Sequence, residues 1–252
     1  MLLVRDGDDK RTVLLKGFTI ALAVAFNDLK DMAWAIYQLR KGEPQPPYLV
    51  SPYHGQWRGM YSAMGRYSAG FMTELGKCIA AAHKMGLLET AAFKAAVMRA
   101  ATTAPGAAAA WGQLVIAFTV RDEKGLVDPV AHFLKQVRDN SFHYGHEDEF
   151  KMLARGYRGR FGAEVMPDRS NGKAYASLGV TQEATRFYFA DAAMGAFMES
   201  KTKEHALSPS DFATFGKNVG VALRYIVEGL LEHLEAEAAS SDAASSAGGG
   251  AV

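Results

Sequence analysis

The sequence predicts an all-α protein, an irregular helical bundle, and three observations predict it. Apolar residues recur every three to four positions through most of residues 18–237, the spacing that lines one face of an α-helix. Glycines and prolines fall between those stretches, where helix starts and stops belong. Strand-like alternation is confined to the first residues, so the layer arrangement left is helix on helix. The interior has no Pro-rich or Gly/Ser-rich linker, which favours one domain over residues 1–237. Residues 238–252 are mostly Ala, Ser and Gly with almost nothing to bury, the composition of a disordered tail.

Residues 1–16 place Leu2-Leu3-Val4 and Val13-Leu14-Leu15 around the turn-rich Asp6-Gly7-Asp8-Asp9, which suits a small hairpin or a frayed start. From about Phe18 to Leu39 the positions Leu22, Phe26, Leu29, Met32, Ile36 and Tyr37 describe an amphipathic helix. Pro44, Pro46 and Pro47 cannot continue it. A second helix is expected from about Gln56 to Met85, closed by Gly86, with Met60, Met64, Tyr67, Phe71, Leu75, Cys78 and Ile79 on one side. Gly59, Gly65 and Gly70 each cost that helix about 1 kcal/mol relative to Ala, which predicts close helix contacts there.

Residues 88–102 and 105–120 read as two Ala-rich helices, the second with Pro105 near its start. Asp128-Pro129 supplies an N-cap and a first-position proline, and Gly145 stands where a C-terminal cap belongs, so a helix is expected over about 129–144. The glycines between 156 and 180, with Asn171-Gly172, predict a long loop. Helical periodicity returns at about 182–205. Ser208-Pro209-Ser210-Asp211 then opens a helix over 209–237, whose stripe is Phe212, Phe215, Val219, Ile226, Leu230 and Leu234.

The chain has 252 residues, 49% of them hydrophobic and 22% charged, with a formal net charge of +1. That length buries a sizeable core, and that charge exerts little long-range pull on polyanions, so a nucleic-acid contact needs a local patch. The single Cys78 excludes an internal disulfide and reads as a core thiol. Arg5, Lys10, Arg11 and Lys16 ahead of the apolar run Ile20–Phe26 mimic a secretory leader. Asp6, Asp8 and Asp9 argue against one, as does the helical continuation into Asn27 and Asp28. No apolar stretch is read as approaching the roughly 20 residues that span a bilayer, and the expected location is cytoplasmic. Trp34, Trp57 and Trp111 are read as core.

One segment carries chemistry. Arg138-Asp139-Asn140-Ser141-Phe142-His143-Tyr144 gathers a guanidinium, a carboxylate, an amide, an imidazole and a phenol near a helix end. Asp139 and His143 are four residues apart and share a face, so the carboxylate could hold the imidazole in one tautomer. A guanidinium fork suits phosphate oxygens, and a histidine exchanges protons near neutral pH. In RNA the 2′-hydroxyl is itself the nucleophile, so a proton-transfer group and positive charge suffice, with no cofactor or metal needed. A purely structural role accounts for the same residues: an Arg–carboxylate pair and a histidine capping the helix C-terminus.

Arg138, the polar Asp139, three further residues and His143 resemble the Arg-x4-6-His signature of the HEPN superfamily. The resemblance implies an all-helical bundle, a homodimer in which two motifs meet across a cleft, and a metal-independent ribonuclease of the toxin or antiphage-effector kind, with an antitoxin or other partner protein possible. It implies Arg138 and His143 as the catalytic pair, with Asp139, Asn140 and Tyr144 supporting them. A noncatalytic helical dimerisation or interaction module is the alternative.

Arg155, Arg158 and Arg160, with Tyr157 and Phe161 interleaved, form a candidate RNA-binding surface by phosphate contact and base stacking, or else a solvated basic loop. His143 and His146, with Glu147 and Glu149 nearby, are the only metal candidates, and Gly145 separates them, so no metal site is expected.

Overall fold

The computed structural model describes residues 7–42, 52–142, 151, 176–177 and 186–248. Among them are seven α-helices: α1 Lys10–Lys41, α2 Pro52–Lys84, α3 Ala91–Thr103, α4 Ala107–Thr119, α5 Pro129–Phe142, α6 Tyr188–Glu204 and α7 Pro209–Gly248. A 3-10 turn, Leu87–Glu89, precedes α3. Strands amount to two minimal antiparallel pairs, β1 Arg121–Asp122 with β2 Gly125–Leu126, and β3 Ala176–Ser177 with β4 Arg186–Phe187. The all-α expectation holds.

Helix starts follow their capping residues. Asp9 opens α1: its Oδ1 accepts the backbone N–H of Arg11 at 2.7 Å and of Thr12 at 3.0 Å. The expected hairpin is therefore replaced, over residues 10–16, by helix, and Val13-Leu14-Leu15 belongs to α1. The turn-rich spacing that suggests a hairpin or a frayed start has its physical source in Asp9, whose short side-chain acceptor serves orphan N–H groups at a helix start as readily as in a turn. Thr90 caps α3 by accepting from Phe93 N–H at 3.2 Å. Asp128 caps α5 by accepting from Ala131 N–H at 2.8 Å, as the sequence predicts.

The chain divides into two compact units. The first takes Met1–Lys30, Glu74–Ala131 and Pro209–Val252. Its centre is α7, whose Val219, Ala222, Leu223, Ile226 and Leu230 are completely buried and against which α3 and α4 pack. Small residues let α3 approach: a Cβ on Gly229 would stand 3.0 Å from the backbone of Ala96. Aromatic rings fill the remainder, with Phe93 lying 6.1 Å from Phe18 and 5.3 Å from Trp111 between ring centroids. Burying side chains of this size contributes roughly 1.5–3 kcal/mol apiece. A second close approach is at Gly76 of α2, where a Cβ would meet the Phe118 ring at 2.3 Å. Gly65, expected to make such a contact, has open space beside it. Beyond Leu234 no described side chain of α7 is buried, in keeping with a segment that has nothing to bury, while its Ala-rich backbone stays helical to Gly248.

The second unit takes Asp31–Thr73 and His132–Ser208. Its buried side chains include Phe133, Leu134 and Val137 of α5 and Met194 and Phe197 of α6. Met60, Tyr67 and Phe71, expected on the core side of α2, are exposed. So is Trp34, at 65%, whereas Trp111 is core; the side chain of Trp57 lies outside the described residues. Periodicity cannot say which part of an apolar face meets a partner. The long loop read over 156–180 lies outside the described residues except at Ala176–Ser177, which is strand, and α6 begins at Tyr188 rather than near 182 because Arg186–Phe187 pairs with that strand.

One expectation about apolar length is corrected. By length and composition α1 is long and apolar enough to cross a membrane, and only 28% of its most apolar 18-residue window is buried. The interruptions at Lys16 and Gly17 mask this in the sequence; Lys16 is held by Asp8 in a largely buried ion pair at 2.5 Å.

Candidate functional site

The site helix is α5. Its Pro129–Phe142 span carries two of the expected residues with described side chains, Arg138 and Asp139. The side chain of Asn140 and all of His143, Tyr144, Arg155, Arg158 and Arg160 lie outside the described residues, as do His146, Glu147 and Glu149.

Asp139 is held between two cations. Lys135, one turn earlier, reaches its Oδ2 at 2.5 Å, and the Arg138 guanidinium donates to its Oδ1 at 3.1 Å. Partial burial pushes its carboxyl pKa up, but the hydrogen bonds and charges of Lys135 and Arg138 outweigh it, so the group sits below the usual carboxylate range and stays ionised at neutral pH. The Arg138 side chain is 24% exposed, so the guanidinium is partly sheltered while still reachable. A partly desolvated guanidinium oriented by a carboxylate is suited to a phosphate in the planar, two-donor fashion.

One turn back along α5 lies a group that sequence reasoning missed. Gln136 bridges two imidazoles. Its amide N–H donates to Nε2 of His132 at 3.3 Å, and its carbonyl oxygen accepts from Nε2–H of His205 at 3.1 Å. The two rings are 4.9 Å apart between centroids, inclined at 54°. With the amide in that orientation, the proton of neutral His132 sits on Nδ1 and that of His205 on Nε2. Burial pushes the His205 pKa below the ordinary histidine value; neighbouring His132 and Lys201 add to this, against the opposing charge of Glu204. His205 is thus neutral at pH 7 and able to accept a proton.

Local structure explains where His205 points. It follows the last residue of α6, and the helix ends in a left-handed cap: Ala206 has φ 51°, its N–H bonds Lys203 O at 3.1 Å, and Leu207 N–H bonds Thr202 O at 2.9 Å. This is the paired 5→2 and 6→1 pattern of a Schellman ending, reached here without the usual glycine. Lys201 is meanwhile paired with Glu204 at 2.5 Å.

By spacing, His132, Gln136 and Asp139 occupy positions i, i+4 and i+7 of one face of α5. The only sequence signal for the cluster was His132–Gln136 at helical spacing; nothing local announces His205, 69 residues away from Gln136. Among the described residues, no group of three or more His, Cys, Asp or Glu is placed to hold a metal ion. Cys78 lies partly buried in α2, and that burial pushes its thiol pKa up, away from nucleophile or ligand chemistry. No family model, curated protein or solved structure matches the chain.

Proposed function

We propose that this protein is a HEPN-like, metal-independent ribonuclease of the toxin or antiphage-effector type, acting in the cytoplasm and cleaving RNA by attack of the 2′-hydroxyl on the adjacent phosphodiester. The observation that carries this reading is the held guanidinium of Arg138, partly sheltered and bonded to Asp139 two turns into the polar face of an all-α site helix.

In this reading Arg138 binds a nonbridging phosphate oxygen and stabilises the charge that develops on it. His143 transfers the proton at the 2′-oxygen or at the leaving 5′-oxygen. Asp139 orients the guanidinium, Asn140 and Tyr144 are the supporting polar residues, and Arg155, Arg158 and Arg160 bind the phosphates of the strand. The reaction balances without a cofactor: the O–P bond to the 2′-oxygen forms, the bond to the 5′-oxygen breaks, and one proton moves from the first oxygen to the second. Neutral His205, joined through Gln136 to His132, supports the reading as a further proton acceptor in the same unit.

A second reading is a noncatalytic helical interaction module that works through a homodimer or a partner protein. The large exposed apolar surface of α1 favours it. The separating experiment is incubation of a mixed RNA pool with purified protein in EDTA, followed by analysis of the ends. Products with 2′,3′-cyclic phosphate and 5′-hydroxyl termini support the ribonuclease, and intact RNA supports the module.

A further inference from the structure

His132 on α5 and His205 just beyond α6 belong to the same compact unit, and the path of the chain, not local spacing, brings them together. Their Nε2 atoms converge on one small group, the amide of Gln136, at 3.3 Å and 3.1 Å. The centres of the two rings stand 4.9 Å apart. Two imidazoles bound through a ring nitrogen to one tetrahedral ion, each at about 2.1 Å, have their centres about 5 Å apart. His132, Gln136 and His205 are all half-buried, so the place is reachable from solvent and already partly dry.

We propose that His132 and His205 form a binding site for a divalent transition-metal ion of the imidazole-preferring class, typified by Zn2+, which takes the place of the Gln136 amide between the two rings. The two Nε2 lone pairs are the protein's ligands, and water fills the remaining positions. His132 already has the required tautomer, since it accepts at Nε2 and carries its proton on Nδ1. His205 changes tautomer, its proton passing from Nε2 to Nδ1, and Gln136 swings aside. These steps neither release nor take up a proton.

The charges nearby offset one another. The exposed Glu204 carboxylate acts on both imidazoles, and Lys201, its ion-pair partner, acts on His205 in the opposite sense. Burial, with His132 and Lys201, keeps the His205 ring neutral at pH 7, so a proton does not compete for the ion's place. Two ligands make a weaker site than the three or four of a catalytic or structural zinc centre, which suits an exchangeable ion. Its effect is to tie the end of α6 to α5, and the folded state gains what the binding supplies. This inference does not rest on the ribonuclease reading, and it concerns residues other than His143 and His146.

The test is isothermal titration of ZnCl2 into the full chain at pH 7, with the thermal midpoint measured in zinc and in EDTA. Wild type is expected to take up one ion at this pair and to melt higher in zinc than in EDTA. His132→Asn and His205→Asn should each weaken that uptake about tenfold or more and remove the midpoint shift. Gln136→His, which places a third imidazole one turn from His132, should tighten it about tenfold or more, a gain that loss of folding cannot imitate. Zinc uptake that persists unchanged in both asparagine variants would assign the ion to other histidines and overturn the proposal. So would an absence of uptake by wild type, or a Gln136→His variant that binds no more tightly than wild type.

Discussion

The imidazole of His205 lies 4.9 Å from that of His132, and both are hydrogen-bonded to the one amide of Gln136. Because the amide presents one N–H side to His132 and its oxygen to His205, the chain has a direction. His132 must keep a free Nε2 lone pair to accept, so a proton added at that nitrogen breaks the contact with Gln136.

His205 makes stability depend on pH in a defined sense. Its folded-state pKa is depressed, so below the ordinary histidine range the unfolded chain takes up the proton more readily than the folded one. The stability tied to its neutral form is full above the unfolded value and lost as pH falls through it toward the folded one. Chemical denaturation of the wild type should therefore show stability falling from pH 7 toward pH 5, and His205→Asn should flatten part of that slope. An identical slope in the variant would contradict the assignment.

Ala206 holds a left-handed backbone at φ 51° next to His205. A Cβ in that conformation costs roughly 1–2 kcal/mol, which glycine avoids. Ala206→Gly should stabilise the protein by about 0.5–1 kcal/mol after glycine's greater unfolded-state freedom is set against the relieved strain. Calorimetry would register this as a raised midpoint.

Asp128 fixes the first turn of the site helix through one hydrogen bond to Ala131 N–H at 2.8 Å. Asp128→Ala should cost about 1 kcal/mol. Asp128→Asn, which retains the acceptor, should recover most of it in a urea melt.

Gly76 sits where a Cβ would overlap the Phe118 ring, at 2.3 Å from Cδ1. That ring is buried and meets Phe215 edge-on at 5.8 Å, so it has little room to retreat. Gly76→Ala gains about 1 kcal/mol in helix propensity yet should destabilise overall, since overpacking costs about 1–3 kcal/mol. Adding Phe118→Leu should recover part of the loss, a coupling readable in a double-mutant cycle.

The helical elements were legible because their signals are local. Pro129 behind Asp128, Pro209 behind Ser208 and the three-to-four spacing of Val219, Ile226 and Leu230 each reflect physics within one or two turns. What was missed is tertiary. The difference between Gly65, which touches nothing, and Gly76, which receives Phe118, is set by a residue on another helix. Trp34 and Trp111 have equal hydrophobicity, and only packing makes one exposed and the other core. Asp8-Asp9 was ambiguous for a different reason: the side chain that makes a turn is the one that caps a helix. At the site, Arg138 beside Asp139 was readable from the sequence, whereas His205 reaches Gln136 only through the path of the fold.

The central claim is that Arg138 and His143 act together on RNA without metal. It is tested most directly by the initial rate of RNA cleavage in EDTA for wild type, Arg138→Ala and His143→Ala, with each variant's circular dichroism and thermal midpoint matched to wild type. The account predicts metal-independent cleavage leaving 2′,3′-cyclic phosphate ends, reduced about 100-fold or more in each variant. Cleavage by wild type that persists undiminished in both folded variants, or no cleavage by the folded wild type, would contradict it.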